Sequence, residues 1–356
     1  MTRILIDLVG APFHSGGVEV WARELMHAWA LEFPSDKLTI VCDARVLENT
    51  PLVPNFSIIA VNSKSQFRRA LLQLFFVPFL FSRGKFDRLF SVNSVFSPFL
   101  VGQQVTIMNH DWRHLRRPSE FSLGQRLYRM IWKWCTRNSR EVISISSKTA
   151  HETAMYTGRN STFVVHPGGD HLNRVVGDSD LEHHIGKEPF ILSFAQHTNK
   201  RPELVLDAVA YLTKSAKQPV PKIVLLGVRG ATREALKRQA NEKRLSHRLV
   251  LYEFVSQADY AWLVRNASCV VLLSSDEGYS IPIAEASSCG TPVLVSEISG
   301  LGEDLHSGLT RVSDDPESIA RHLLSTLMGG RNRPRKSGSW REAAKRVRGI
   351  VVSGNS

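Results

Sequence analysis

Glu277 and Glu285 stand eight residues apart in EGYSIPIAEASSCGTPV (277–293), and the residues between them are suited to hold an anion. The run CVVLLS (269–274) leads in and VLVSE (293–297) leads out. The segment therefore reads as strand, loop, short helix, turn, strand, which is half of a doubly wound α/β unit. Pro282 suits the first helical turn, where its missing N–H costs nothing, with Ser280 or Ile281 as the cap. Gly278, Tyr279, Ser280 and Ile281 then place backbone N–H groups at a helix N-terminus, where an anion binds. A carboxylate on each flank can accept hydrogen bonds from hydroxyls of whatever carries that anion, an arrangement that fits a nucleotide sugar. The spacing alone is ordinarily that of two solvated helix charges.

Lys200 and Arg201 follow the run FILSFA and precede PELVLDAVAYL, so two cations occupy a strand-to-helix loop. There they can neutralise a diphosphate as a glycosidic bond breaks and charge builds on the leaving group. As plain surface charges they would need no ligand. Gly16 and Gly17 precede the helix beginning at Val18, where residues without Cβ either let backbone approach a ligand or simply form a tight turn. DSD at 178–180 lies in a polar stretch rather than at a strand end, so it reads as loop and no catalytic metal is expected.

These residues need a scaffold, and the hydrophobic periodicity supplies two successive α/β sets. The first has strands near 3–9, 38–44, 56–61, 87–92, 103–109, 141–146 and 162–166, with helices near 18–33, 65–82, 122–138 and 147–157. The second has strands near 190–195, 222–227, 249–252, 269–274 and 293–297, with helices near 202–214, 231–244, 257–266, 281–289 and 316–328. Between them a Gly-, Asp- and His-rich stretch breaks the pattern. The expected division is a domain over 1–172, a linker over 173–189 and a second domain over 190–330, with ligands at strand C-termini in a cleft between the two.

At 356 residues, 43% hydrophobic and 22% charged, the chain has the composition of two ordinary globular domains. Cys42, Cys135, Cys269 and Cys289 show no paired or metal-binding spacing and read as reduced core thiols of a cytoplasmic protein. The chain opens directly on RILIDLV, with no signal-like segment, and the longest apolar run, LLQLFFVPFLF (71–81), is too short to span a bilayer. The net charge of +12 is concentrated: residues 329–348 carry eight Lys or Arg against Glu342, and residues 113–140 carry eight against Glu120. No nucleic-acid motif accompanies them, so nucleic acid is not an expected partner. Arg126, Arg129, Lys133 and Arg137 recur at helical spacing beside Leu127, Ile131 and Trp134, which suits either an anionic membrane surface or a plain solvated helix.

The full string around Glu277 and Glu285 resembles the E-x7-E signature of retaining glycosyltransferases of the GT-B fold, the family 4-like glycosyl transferases group 1. That large family includes sucrose and bacterial glycogen synthases and many lipopolysaccharide sugar transferases. The likeness extends to GGVEVWARELMHAWA, NHDW, SREVISISSKTAHE, PGGD and the SW at 339–340. It implies two Rossmann-like domains facing a central cleft, a last helix (339–352) that returns to the N-terminal domain, and a metal-independent hexosyltransferase without cofactor. The donor would be a nucleoside-diphosphate sugar and the acceptor a glycan or lipid-linked molecule in bacterial cell-surface polysaccharide synthesis, at the cytoplasmic side of the membrane. By matching position, Glu277, His110 and Lys200 are the expected catalytic residues. Gly16, Gly17, Lys200, Arg201, Phe254, Val255, Gly278, Tyr279, Ser280, Ile281 and Glu285 are the expected donor-binding ones, with Phe254 and Val255 at the base. The pattern departs at Gln196 and His197, where an Arg is usual, and at Glu253, where Gly is frequent. A nucleotide-sugar 2-epimerase on the same fold and a non-catalytic nucleotide-sugar or glycan binder are the rival readings.

Overall fold

The computed structural model describes residues 2–11, 16–47, 54–186, 188–215, 220–301, 309–329 and 338–353. The chain divides into two compact units, Met1–Gly168 with Gly338–Ser356, and Gly169–Ser337.

The first unit is built on a seven-stranded sheet in the order β3-β2-β1-β4-β5-β6-β7. Its strands are β1 (Arg3–Asp7), β2 (Lys37–Cys42), β3 (Phe56–Ala60), β4 (Arg88–Ser91), β5 (Val105–Asn109), β6 (Glu141–Ser144) and β7 (Phe163–Val164). All its pairings are parallel, which accounts for strands that are apolar on both faces, such as Ile4, Leu5 and Ile6. The last helix, Trp340–Ser353, packs on Gly17–Glu32 and reaches β4, β5 and β6, burying Trp340, Ala343, Ala344, Val347, Ile350 and Val351. Glu32 lies 2.6 Å from Arg341 and 2.8 Å from Lys345, and these two cations hold its carboxyl down to about 2. Arg348 reaches Asp36 at 2.7 Å, and Arg88 donates to the terminal carbonyls of Val351 and Val352. These members of the basic stretch 329–348 are therefore engaged within the unit; residues 330–337 lie outside the described residues.

The segment read as one helix near 65–82 is continuous but irregular: α-helical over Gln66–Leu71, π-helical over Leu72–Phe76 and α-helical again over Val77–Arg83. Pro78 explains the defect, because it has no N–H to return to Leu74. The Leu74 carbonyl instead accepts from Ser97 Oγ at 2.8 Å, and the Val77 N–H reaches back to Leu72. The bulge turns Gln73 inward, where it donates to Asp7 (3.4 Å) and accepts from Tyr128 (3.0 Å). Phe67, Leu71, Phe75 and Phe79 face solvent. An amphipathic helix ordinarily buries its apolar stripe, so this outward stripe is a departure with a bearing on function.

The second unit carries a six-stranded parallel sheet in the order β10-β9-β8-β11-β12-β13. Its strands are β8 (Phe190–Phe194), β9 (Lys222–Leu226), β10 (Leu249–Tyr252), β11 (Cys269–Leu272), β12 (Val293–Ser296) and β13 (Leu309–Val312). Strand β13 adds to those read from the sequence; LTRV is short and carries a weak strand pattern. The stretch 173–189 falls inside this unit, where Leu181 and Ile185 share a core with Leu172, Phe190 and Val270. From β8 the order runs one way to β9 and β10 and the other way to β11, so the crevice at the C-terminal ends of β8 and β11 is the topological switch point.

Candidate functional site

The loops leaving β8 and β11 meet at that switch point. After β8 comes a single helical turn, Thr198–Lys200, and its Asn199 ties the loops together by donating to the Asp276 carbonyl (2.8 Å) and accepting from the Ser275 N–H (2.8 Å). Lys200 Nζ lies 2.6 Å from Glu277 Oε1, with the two side chains only 13% and 11% exposed. The sequence-predicted cation and carboxylate thus form one ion pair, held partly out of water where Coulomb interaction is strong. Arg201 differs. At φ 47° it turns back into the unit, where its guanidinium donates to the Leu273 carbonyl (2.6 Å), Ser296 (3.1 Å) and both oxygens of Asp314. It joins the loops after β8, β11 and β12 to Asp314 beyond β13, and its charge depresses the Asp314 carboxyl below its ordinary value.

Ser280 is the cap residue of the helix Ile281–Ser288, as the Pro282 argument predicts, but the expected side-chain hydrogen bond is not made. Ser280 sits at φ 78°, ψ 85°, whereas a capping serine needs the extended region to reach its own first turn. Its hydroxyl is buried without a hydrogen-bond partner. A strained backbone, an orphaned hydroxyl and a helix N-terminus coincide beside the Lys200–Glu277 pair. Tyr279 and Ile281 are buried, so they can offer a ligand backbone groups rather than side chains.

Glu285, one turn into that helix, is 2% exposed. One carboxylate oxygen lies 3.1 Å from His171 Nε2 and the other accepts a short hydrogen bond from the Tyr260 hydroxyl. Beyond β10, Phe254 is half exposed with the Arg229 guanidinium 4.1 Å above its ring, and Arg229 also pairs with Glu253 at 3.2 Å. The departure at Glu253 thus has a local partner. Gln196 packs against Gly227, which has φ 78° and where a Cβ would come within 2.1 Å of Gln196 Cγ.

His110 and the glycine pair belong to the first unit. His110 follows β5 with Nε2 2.8 Å from the Val92 carbonyl, and Trp21 meets its ring edge-on at 5.8 Å. A carbonyl only accepts, so Nε2 carries the proton and Nδ1 keeps its lone pair. Burial lowers the imidazole pKa, outweighing the Val92 bond and Asp111, so the ring is neutral at pH 7. Gly16 adopts φ 73° before the helix Gly17–Glu32, a conformation that favours glycine.

Sequence reasoning missed Tyr260, His171 and Asp314. The first lies in an unremarkable helix and the others in polar stretches, and only the fold brings them to Glu285 and Arg201. Among the described residues, no group of three or more His, Cys, Asp or Glu is placed to hold a metal.

Residues 180–347 match the family described as Glycosyl transferases group 1. A curated relative, D-inositol 3-phosphate glycosyltransferase of Streptomyces bingchenggensis, is 28% identical over 51% of this chain and 44% of its own length. The chain thus spans less than half of that relative. Sucrose-phosphate synthase from Thermosynechococcus elongatus superposes with a TM-score of 0.72 at 17% identity, covering 97% of this chain and 94% of that one. A putative UDP-N-acetylglucosamine 2-epimerase from Listeria monocytogenes gives 0.68 at 15% identity, covering 99% and 96%. Two parallel-sheet α/β units and these structural neighbours converge on a GT-B fold, and residues 180–347, most of the second unit and the start of the last helix, are similar to the glycosyl transferases group 1 family.

Proposed function

We propose that the chain is a retaining hexosyltransferase that moves a sugar from a nucleoside diphosphate to a glycan or lipid-linked acceptor in bacterial cell-surface polysaccharide synthesis. The observation that carries this reading is the Lys200–Glu277 pair beside the strained Ser280 at the switch point of the donor unit. In this reading the diphosphate lies at the helix N-terminus near Lys200, and Glu277 accepts hydrogen bonds from the sugar hydroxyls. The acceptor hydroxyl attacks the anomeric carbon on the face the leaving group departs. The glycosidic C–O bond breaks toward the diphosphate, which takes its electron pair and the acceptor's proton. Lys200 and the helix N-terminus stabilise the charge that develops, and the chemistry calls on no cofactor or metal. His110, neutral and protonated on Nε2, is an acceptor at Nδ1 and receives a hydrogen bond from a donor-sugar hydroxyl. Phe254 and Val255 receive the base, and Gly16 and Gly17 approach the diphosphate.

Glu285 takes the ribose hydroxyls. Glu285→Ala should weaken nucleotide sugar and free nucleoside diphosphate alike, by about 1.5–3 kcal/mol for hydrogen bonds to a charged group. Titration calorimetry with the diphosphate reads this directly, and unchanged affinity removes the ribose assignment. The 2-epimerase reading shares the fold and the donor. Incubation with a nucleotide sugar separates the two by product: NMR showing a glycoside of retained anomeric configuration supports transfer, whereas an epimerised nucleotide sugar refutes it. A nucleotide sugar that raises Tm but is never consumed identifies a non-catalytic binder.

The same reading makes the protein a peripheral one on the cytoplasmic face of an anionic membrane, and the first unit supports this differently from the charge pattern alone. Arg129 lies between the rings of Phe121 and Trp132, 4.5 and 4.6 Å from their centroids, and Arg137 donates to the Thr157 carbonyl, so both serve the fold. What faces solvent is apolar: Phe67, Phe75, Phe79 and Phe99, then Leu123, Leu127, Met130 and Ile131 on the helix Leu123–Asn138, with Lys64, Arg68, Arg83 and Arg126 also exposed. No helix among the described residues is long and apolar enough to cross a membrane. Each inserted large side chain contributes about 1.5–3 kcal/mol and each cation near the surface about 1 kcal/mol, the latter screened by salt. Co-sedimentation with anionic vesicles should accordingly be strong at low salt, reduced at high salt, and reduced further by Phe75→Ser with Phe79→Ser. No partitioning under any of these conditions would indicate a soluble acceptor and no membrane role.

A further inference from the structure

The Glu285 carboxylate is approached by side chains from two separate segments of the second unit, and their arrangement is more specific than burial requires. Tyr260 comes from the helix Gln257–Asn266 and His171 from the turn Asp170–Arg174, and they approach different oxygens of the same carboxylate. The turn is clamped in place. Gly169 lies so close to the helix Ile281–Ser288 that a Cβ there would sit 2.2 Å from the Ala284 carbonyl oxygen, and the Arg265 guanidinium donates to the carbonyls of Leu172 and Val175. The tyrosine helix is tied to the far end of the carboxylate's own helix, because Thr291 Oγ1 donates to the Val264 carbonyl at 2.7 Å. Phe194 meets the Tyr260 ring edge-on at 6.5 Å. Burial and the neighbouring carboxylate push the phenol well above its ordinary pKa, so it keeps its proton and remains a donor.

We infer that Tyr260 and His171 are positioning residues for the ribose, fixing one rotamer of Glu285 so that each of its oxygens presents a remaining lone pair to a ribose hydroxyl. A carboxylate offers about four acceptor sites. Two are filled by the protein, one on each oxygen, and two are left for a vicinal diol. A carboxylate so held loses little freedom when the diol arrives, so the ligand bonds are stronger than those of a mobile side chain. This rests on the assignment of Glu285 to the ribose proposed above.

The experiment compares nucleoside diphosphates with their 2′-deoxy and 3′-deoxy counterparts, using uridine and guanosine diphosphates and keeping whichever the wild-type protein binds. In the wild type each deoxy change is expected to weaken binding roughly tenfold to a hundredfold, the cost of an unmade hydrogen bond to a charged acceptor. In Tyr260→Phe the parent diphosphate should bind roughly tenfold more weakly, and the deoxy penalty should shrink to less than about threefold, because a misaligned carboxylate no longer discriminates. His171→Leu should behave alike, and His171→Gln, which keeps an N–H near Nε2, should recover most of the penalty. A residue that serves only folding would lower Tm and leave the deoxy penalty intact. That outcome overturns the inference while leaving the Glu285 assignment standing. Tighter diphosphate binding by Tyr260→Phe also overturns it, since the hydroxyl would then be competing with the ribose. Absence of any deoxy penalty in the wild type removes the ribose assignment itself, and the inference with it. Should Tyr260→Phe fail to fold, the histidine pair provides the same comparison.

Discussion

Glu277→Ala is expected to lower turnover by about 10²- to 10³-fold, the range observed when one preorganised hydrogen-bonding group at a developing charge is removed. The same change should leave affinity for the bare nucleoside diphosphate unchanged or raised. Glu277 is assigned to the sugar, and its removal frees Lys200, 2.6 Å away, to face the diphosphate without a competing carboxylate. Turnover therefore falls without a loss of diphosphate affinity, a separation that a general loss of structure does not produce. Single-turnover rates with a nucleotide sugar and calorimetric titration with the diphosphate give both numbers. Equal losses in each would make Glu277 a simple binding residue.

Trp340→Ala is expected to cost about 3–5 kcal/mol of stability, the range for deleting a fully buried aromatic side chain. Trp340 is 0% exposed at the first turn of the last helix, where it starts an apolar face continued by Ala344, Val347 and Val351 against the first unit. Arg341→Ala should cost far less, because its partner Glu32 keeps Lys345 and both ion pairs are near the surface. Urea unfolding of the two variants decides between them. If the tryptophan change costs no more than the arginine change, the helix is held by charge rather than by its apolar face.

Much of the architecture was legible because parallel strands buried on both faces are near-continuous apolar runs and the helices between them keep a 3.6-residue period. The string around Glu277 and Glu285 marked a strand, a loop and a helix with Pro282 in its first turn, and the structure has them. What could not be read depends on groups distant in the chain. Ser280 looked like an ordinary cap, but its left-handed backbone turns the hydroxyl away from that task. Arg201 looked like a second phosphate cation, yet Asp314, 113 residues on, takes up its guanidinium. Arg129 and Arg137 shared a helical stripe with Arg126 and Lys133, but aromatic stacking and a carbonyl hold them within the fold. In each case the residue type and spacing were informative about location, and only tertiary partners decided what the side chain was free to do.

The π-turn at Leu72–Phe76 sets the angular phase of the aromatic side chains around it. On an unbroken helix of about 3.6 residues per turn, a side chain 12 positions after Phe67 would be rotated by about 120° from it, on another side of the cylinder. A single inserted residue makes those 12 positions behave as about 11, which is close to three whole turns and leaves a rotation of only about 20°. Phe79 is thereby brought back nearly into line with Phe67, and both are exposed. Pro78 thus acts as a phase corrector: by removing one N–H from the ladder, it aligns a row of aromatic rings that a regular helix would have spiralled apart.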